Sequence, residues 1–166
     1  IGTNKAGSAK MTLERLNPAV SVTAITDKIV AGNVDELVGD ADIILDCMDN
    51  FPTRYLLNES ARRKKIPLVY GSIWGIDGRL SFIHSPETPC LRCIFPEAPL
   101  KEVFPVIGAT PAVIGSLQAL ETLKYLSGTG STLKGQLLVW EGATTDFKKY
   151  KIRKDPDCPT CGTGAI

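Results

Sequence analysis

Four of the five cysteines fall into two Cys-x-x-Cys pairs, Cys90 with Cys93 and Cys158 with Cys161. Two residues between thiolates allow a tight turn that aims both sulfurs at one ion, and two such turns complete a tetrahedron of Zn–S bonds of about 2.3 Å. Prolines flank both pairs, which suits rigid turns better than helices. Four protein ligands leave no open position, so we expect a structural zinc site. Disulfide or redox pairs, or another metal such as iron, are the alternatives.

A second candidate site follows the apolar run at residues 43–45. In open α/β sheets ligands bind beyond the carboxyl ends of the strands, and Asp49 and Asn50 come at that position. A carboxylate there can hold Mg²⁺ on the phosphates of a nucleotide, and Asn50 can hydrogen-bond ribose or phosphate. The alternative is that either residue only caps the helix that follows. The fifth cysteine, Cys47, is expected to be a packed thiol and not a nucleophile.

Two further features could contact a phosphate or a peptide. Lys5 precedes the first predicted helix, where an ammonium can reach phosphate oxygens; position alone favours the alternative of a surface lysine. Residues 71–78 are dense in glycine, which permits close approach of a ligand or an extended peptide, or simply a hairpin turn. No Gly-x-Gly-x-x-Gly after a strand and no Walker A motif occurs in these 166 residues.

The composition is that of one globular domain over residues 1–166, with 43% hydrophobic residues and a net charge of +1. This charge gives no strong field to attract nucleic acid or an anionic membrane. No apolar run approaches the roughly 18 residues that span a bilayer, and the N-terminus lacks the features of a signal peptide. We therefore expect a cytoplasmic protein. Because the chain starts without Met in a polar segment, we expect a fragment, a processed product or a trimmed chain.

Hydrophobic periodicity predicts alternating strands and helices in the first half of the chain. This alternation is typical of an α/β fold with a mostly parallel sheet, and the later hairpin-like strands make the sheet mixed. The helix at 111–127 is apolar on most sides, which favours burial against the sheet or against a partner subunit in a homodimer. The predicted helices are 6–17, 33–39, 52–65 and 111–127, and the predicted strands are 19–26, 43–45, 67–73, 79–84, 136–141 and 145–153.

Taken in order, these motifs resemble the ThiF/MoeB/HesA family, the bacterial relatives of ubiquitin-activating enzymes. The resemblance covers essentially the whole chain. It rests on Lys5 before a helix, DCMDNFPTR at 46–54, PLVYG at 67–71, the first cysteine pair, GSLQALE at 115–121 and the second cysteine pair. It implies a Rossmann-like sheet flanked by helices.

The resemblance also implies an activity. Members of the family are ATP-dependent adenylyltransferases that adenylate the C-terminal Gly-Gly of a ubiquitin-like sulfur carrier of ThiS or MoaD type, for thiamin, molybdopterin or related sulfur transfer. Carried over by motif, Asp49 holds Mg-ATP, Asn50 accompanies it at the nucleotide and Lys5 reaches the phosphates. Arg54 becomes a candidate catalytic helper. The glycines at 71–78 could accept the Gly-Gly tail.

Two departures from the family pattern matter. The family's glycine-rich nucleotide loop lies before the position of Lys5, so we expect these residues alone to adenylate weakly or not at all. Residues 94–114 contain no cysteine, whereas many relatives carry one there that binds the carrier covalently. Adenylation alone, as in MoeB, is therefore expected. Competing hypotheses are a non-catalytic, zinc-stapled fragment that dimerises through 111–127 and binds a ubiquitin-like partner, and another nucleotide-binding enzyme such as a dehydrogenase.

Overall fold

The structure, a computed structural model, describes residues 2–100 and 104–164. The five prolines between residues 86 and 105 predict a long loop over 86–110, and residues 101–103 of that segment fall outside the described residues. The chain divides into two compact units, Ile1–Leu37 and Val38–Ile166, and a single domain over 1–166 stays a prediction. The elements are α1 (Lys5–Leu16), α2 (Val34–Val38), β1 (Ile44–Asp46), α3 (Phe51–Lys64), β2 (Leu68–Trp74), β3 (Asp77–Ile83), α4 (Leu91–Ile94), α5 (Ala109–Ser127), β4 (Gln136–Glu141) and β5 (Asp146–Lys151).

The two helices predicted before residue 40 are confirmed as α1 and α2. Asn4 caps α1, because its Oδ1 accepts a hydrogen bond of 2.9 Å from the backbone amide of Ala6. The strand predicted for residues 19–26 is wrong, since that segment is irregular. A strand is stable where a neighbouring strand forms hydrogen bonds with its backbone N–H and C=O groups. Residues 19–26 pair with no strand in the described part of the chain.

The second unit contains a five-stranded sheet of order β1-β2-β3-β4-β5. The α/β class with a mixed sheet is confirmed, but the parallel share is smaller than expected. Among the described strands only β1 and β2 pair in parallel, through the crossover helix α3, and the other three neighbouring pairs are antiparallel. The reason is connection length, since β2 and β3 are joined by a two-residue turn in which Gly75 has a φ of +57°.

Helices α3 and α5 cover opposite faces of β2, whose first four residues are all buried. On one face Arg54 of α3 lies over the ring of Tyr70. On the other face Leu117 and Tyr125 of α5 pack against the main apolar core, in line with the expectation that this helix lies against the sheet. The residues of that core are Val69, Leu80, Phe82, Leu133 and Leu138.

Two glycines of the hairpin let α5 approach the sheet closely. A β-carbon at Gly71 would collide with the amide group of Gln118, and a β-carbon at Gly78 would collide with the side chain of Ile114. On this face Gly71 and Gly78 therefore make room for the helix. That residues 71–78 accept the carrier tail stays a prediction. The hairpin interpretation of residues 71–78 is the one that the structure supports.

The opposite face of α5 is apolar and exposed, with Leu120, Leu123 and Leu126 each more than half exposed. No helix in the described residues combines the length and the apolar character that a membrane crossing requires.

Candidate functional site

The two cysteine pairs come together as predicted. The sulfurs of Cys90 and Cys158 are 3.6 Å apart, those of Cys93 and Cys161 are 3.4 Å apart, and all four lie within 4.8 Å of one another. A tetrahedron with Zn–S bonds of about 2.3 Å places its sulfurs about 3.8 Å apart, so the spacing suits a four-thiolate metal site. None of the four cysteines forms a disulfide in this structure.

Each pair sits in a tight backbone turn. The amide of Cys93 donates to the carbonyl of Cys90 at 3.1 Å, and the amide of Gly162 donates to the carbonyl of Cys158 at 2.8 Å. The turn at the second pair requires glycine at position 162, because a β-carbon there would lie 2.6 Å from the carbonyl oxygen of Cys158. The amide of Asp155 also approaches the Cys93 sulfur at 3.5 Å. These turns fix the directions of the four sulfurs.

Burial shapes the acidity of these thiols. Desolvation raises the pKa of Cys161 to about 11, with the neighbouring Cys93 adding to the effect. Desolvation likewise raises the pKa of Cys90 above its ordinary value. Because thiolates and not thiols are metal ligands, a cation that binds here must displace protons, and its affinity must fall in acid.

The first cysteine pair is anchored to α3. The carbonyl oxygen of the buried Asn58 side chain accepts a hydrogen bond of 2.9 Å from the amide of Leu91, and the hydroxyl of Tyr55 donates to the carbonyl of Phe95 at 2.9 Å. The guanidinium of Arg92 lies 3.8 Å from the centre of the Tyr55 ring. The four-cysteine site is thus packed on the helix that begins beside Asn50.

Asp49 and Asn50 lie in the loop between β1 and α3, at the carboxyl end of the strand as predicted. Asn50 caps α3, because its Oδ1 accepts from the amide of Thr53 at 3.0 Å. Its Nδ2 also donates to Oδ1 of Asp49 at 3.1 Å. Asn50 therefore caps α3 as the alternative expected, and the same side chain holds the exposed carboxylate of Asp49; a further role of Asn50 at a nucleotide stays a prediction.

Two buried side chains hold Met48, the residue before Asp49. Oδ1 of Asp46 accepts from the Met48 amide at 3.0 Å, and Nη2 of Arg54 donates to the Met48 carbonyl. Arg54 also lies against the rings of Phe51 and Tyr70, 5.3 Å and 5.1 Å from their centres. Both polar groups of the Met48 backbone are therefore fixed by side chains.

Asp46 and Arg54 form a buried ion pair whose facing atoms are too far apart for a hydrogen bond. Nε of Arg54 is 3.9 Å from Oδ2 of Asp46, and neither atom has a hydrogen-bond partner in the described structure. Burial raises the pKa of Asp46 to about 6, although Arg54 and the Met48 amide act in the opposite direction. A charged carboxylate is thus held in the protein at a cost in stability.

Two residues named in the sequence analysis remain, Lys5 and Cys47. Lys5 is the first residue of α1 and is exposed, in the first compact unit. The expectation of a packed thiol at Cys47 is wrong, since the residue is exposed. Partial desolvation and the charge of Asp46 raise the pKa of the Cys47 thiol, which disfavours a nucleophilic thiolate.

The sequence analysis missed two residues whose side chains hold the loop at residues 47–50, namely Asp46 and Gln118. Both stand inside motifs that were identified, but neither was assigned a role. Asp46 ends an apolar strand with a charge, and Gln118 places an amide on the buried face of α5, where an apolar residue is expected. A polar residue at a core position was the available signal.

Comparison with known proteins places the chain among relatives. The ThiF family profile matches residues 1–160. A SAMP-activating enzyme E1 of Haloferax volcanii is 41% identical over 100% of this chain and 63% of its own length. A sulfur carrier protein adenylyltransferase of Thermus thermophilus is 40% identical over 98% of this chain and 64% of its own length. This chain therefore spans somewhat less than two thirds of these relatives.

Solved structures of Escherichia coli MccB have the same fold. The structure with succinimide gives a TM-score of 0.83 at 19% identity, covering 98% of this chain and 52% of MccB. The structure with ATP gives a TM-score of 0.81 at the same identity and the same coverage. The match over nearly all residues, together with the two relatives near 40% identity, establishes the family. The chain belongs to the ThiF family, as its motifs predicted.

Proposed function

We propose that this chain is part of an enzyme that uses Mg-ATP to adenylate the C-terminal glycine of a ubiquitin-like sulfur carrier, and that this part contains the enzyme's structural zinc site. The supporting observation is identity of about 40% over essentially the whole chain to proteins named for SAMP activation and for sulfur carrier adenylylation. The carrier is of ThiS or MoaD type, and the product serves thiamin, molybdopterin or related sulfur transfer in the cytoplasm. These finer assignments come from the family resemblance.

The loop geometry fits a site for Mg-ATP. Asp49 offers an exposed carboxylate, and the Asn50 amide restrains it at 3.1 Å. Hard cations take oxygen ligands, so Asp49 would hold Mg²⁺ at the carboxyl end of β1. When bound, the cation offsets charge on the phosphates and on the departing pyrophosphate. Escherichia coli MccB, which shares the fold, has been crystallised with ATP.

The reaction needs positioning more than covalent chemistry from the protein. A carboxylate oxygen of the carrier's terminal glycine attacks the α-phosphate, and pyrophosphate leaves. Lys5 is assigned to the phosphate oxygens, where an ammonium offsets the growing charge. Asn50 is assigned to the nucleotide, which it would contact through the side-chain donor and acceptor positions that are not used in capping α3. Arg54 is assigned as a catalytic helper in a more limited sense than Lys5. Its guanidinium is buried and already donates a hydrogen bond to the Met48 carbonyl.

The four cysteines are assigned to structural zinc. All four ligands come from the protein, so no position is left for substrate, and the site stabilises the fold without entering the chemistry. It joins the region of α4 to the segment after β5. In each of the two close sulfur pairs, Cys90 with Cys158 and Cys93 with Cys161, the cysteines are 68 residues apart in the chain. Closing such a long loop restricts the unfolded chain strongly.

A second candidate function has one observation in its favour. The exposed leucines of α5 would suit a non-catalytic fragment that dimerises through this helix and binds a ubiquitin-like partner. It differs from the first proposal in requiring no acyl adenylate.

The distinguishing experiment incubates Mg-ATP and a Gly-Gly-terminated carrier with the complete gene product and, separately, with residues 1–166. Mass spectrometry then detects the carrier adenylate. The proposal expects adenylate with the complete product and little or none with residues 1–166 alone. A carrier truncated by its terminal glycine is the control and should remain unmodified. Binding of the carrier without any adenylate would favour the second candidate.

A further inference from the structure

Gln118 connects the ends of two neighbouring strands to α5. Its side chain is 4% exposed. Its Nε2 donates one hydrogen bond of 2.9 Å to the carbonyl of Asp46, the last residue of β1, and another of 2.9 Å to the carbonyl of Val69 in β2. Only an amino group with two hydrogens satisfies two carbonyl acceptors, so the partners fix which way the amide points.

Gly71 provides the space for this arrangement. A β-carbon at position 71 would overlap the side-chain amide of Gln118, because it would lie within 2.7 Å of the amide's carbon, nitrogen and oxygen atoms. The hydrogen-bonded position of Gln118 and the missing side chain at Gly71 therefore depend on each other. Ala at position 71 would force the amide away from one or both carbonyls.

The Asp46 carbonyl belongs to the peptide that leads into the loop at residues 47–50. Gln118 fixes that peptide, while the side chains of Asp46 and Arg54 fix the amide and the carbonyl of Met48. The backbone is thus held at successive points up to Asp49. Each contact is buried or half-buried, where a hydrogen bond is difficult to replace with water.

We infer that Gln118 is a positioning residue, which holds the loop at 47–50 so that the Asp49 carboxylate is presented in one place. The effect on the loop rests on the contacts alone. The effect on Mg-ATP rests on the proposed function, in which Asp49 binds the cation. Gln118 itself acts only through Asp46 and the backbone.

The test compares Gln118→Met with Glu121→Met in the complete gene product. Both residues lie on the buried face of α5 and are 4% exposed, and Glu121 accepts a hydrogen bond of 2.6 Å from the amide of Leu133. Each variant removes a buried polar contact of the same helix, but only Gln118 contacts the loop's entry. Thermal unfolding then reports the general loss of stability in each variant.

Hydrogen exchange of the amides at 47–50 is the direct readout. Gln118→Met should accelerate exchange there roughly 10-fold, and Glu121→Met should leave it within about 2-fold of wild type. In ATP–pyrophosphate exchange, Gln118→Met should raise the half-saturating Mg²⁺ concentration several-fold and leave the KM for the carrier unchanged. Equal exchange at 47–50 in the two variants, or an unchanged Mg²⁺ requirement in an active enzyme, would overturn the inference.

Gly71→Ala supplies a second test if Gln118→Met does not fold. It should accelerate exchange at 47–50 as well, and its destabilisation should disappear in a Gln118→Ala background, where the β-carbon has room. Additive destabilisation would contradict the proposed dependence. If the wild type lacks ATP–pyrophosphate exchange, the proposed function fails, whereas the hydrogen-exchange result still decides whether Gln118 positions the loop.

Discussion

Phe95 packs its ring edge-on against Phe51, with 5.3 Å between the ring centres and 71° between the ring planes. Phe95 directly follows α4, which carries Cys93, and Phe51 is the first residue of α3, next to Asn50. This contact joins the four-cysteine site to the loop that presents Asp49. The four-cysteine site, to which we assign no catalytic role, can therefore influence the candidate nucleotide site through packing.

Replacing Phe95 with Ala should weaken this connection. We expect a loss of about 2 kcal/mol in the free energy of unfolding, because a half-buried aromatic contact is removed. Metal content should stay the same, and hydrogen exchange at residues 50–53 should increase. Phe147→Ala, at a half-exposed ring that stacks on Trp140 in β4, is the control and should leave residues 50–53 unaffected. Identical exchange in the two variants would argue against the connection.

Replacing Gly162 with Ala should impair metal binding. The added β-carbon would press on the carbonyls of Pro156 and Cys158 and distort the turn that aims two of the sulfurs. Elemental analysis should show less than one zinc per chain, and a chelator should remove the metal faster than from the wild type. Gly164→Ala is the matched control, since nothing lies within 4 Å of a β-carbon there. Full zinc occupancy and normal chelator resistance in Gly162→Ala would show that the turn tolerates a side chain.

The buried carboxyl of Asp46 predicts a specific pH dependence. Its pKa is about 6 in the folded protein against 3.8 for the free group, so between these values the folded state binds more protons than the unfolded state. The free energy of unfolding should therefore fall as the pH rises from about 4 to 6. A shift of about two units corresponds to about 3 kcal/mol at most.

Asp46→Asn cannot lose this proton, so its stability relative to wild type should improve as the pH rises from 4 to 7. Urea denaturation of both proteins across this range measures the difference directly. A difference that stays constant with pH would mean that Asp46 titrates near its ordinary value.

The exposed leucines of α5 predict a homodimer. Sedimentation should show a dimer for the wild type and a monomer for Leu123→Lys, because a charge would be buried at the contact. Leu16→Lys, at an even more exposed leucine of α1, is the control and should leave the dimer intact. A monomeric wild type would rule out the homodimer.

The parts of the site that sequence reasoning found depend on local spacing. Two residues between thiolates define each turn, and the cysteine pairs could be joined because tetrahedral coordination requires four ligands. Asn50 before Pro52 marks a helix start through short-range geometry, and the structure confirms it. These signals need no knowledge of distant contacts.

The parts that it missed depend on the tertiary arrangement. The two carbonyls bound by Gln118 are 72 and 49 residues away in the chain, and Gly71 is needed only because α5 crosses above it. Residues 19–26 alternate as a strand does, but a strand also needs a neighbour, and alternation cannot supply one. The parallel share of the sheet was overestimated because the two-residue turn at Gly75 was not used to set strand direction.

The central claim is that Asp49 holds the magnesium of an ATP-dependent carrier-activating enzyme. ATP–pyrophosphate exchange, measured on the complete gene product with a Gly-Gly-terminated sulfur carrier, tests it most directly. The account predicts exchange that requires Mg²⁺ and the carrier's terminal glycine, and that falls by roughly 100-fold or more in Asp49→Ala while the zinc content is unchanged. Exchange at the wild-type rate in Asp49→Ala would contradict it.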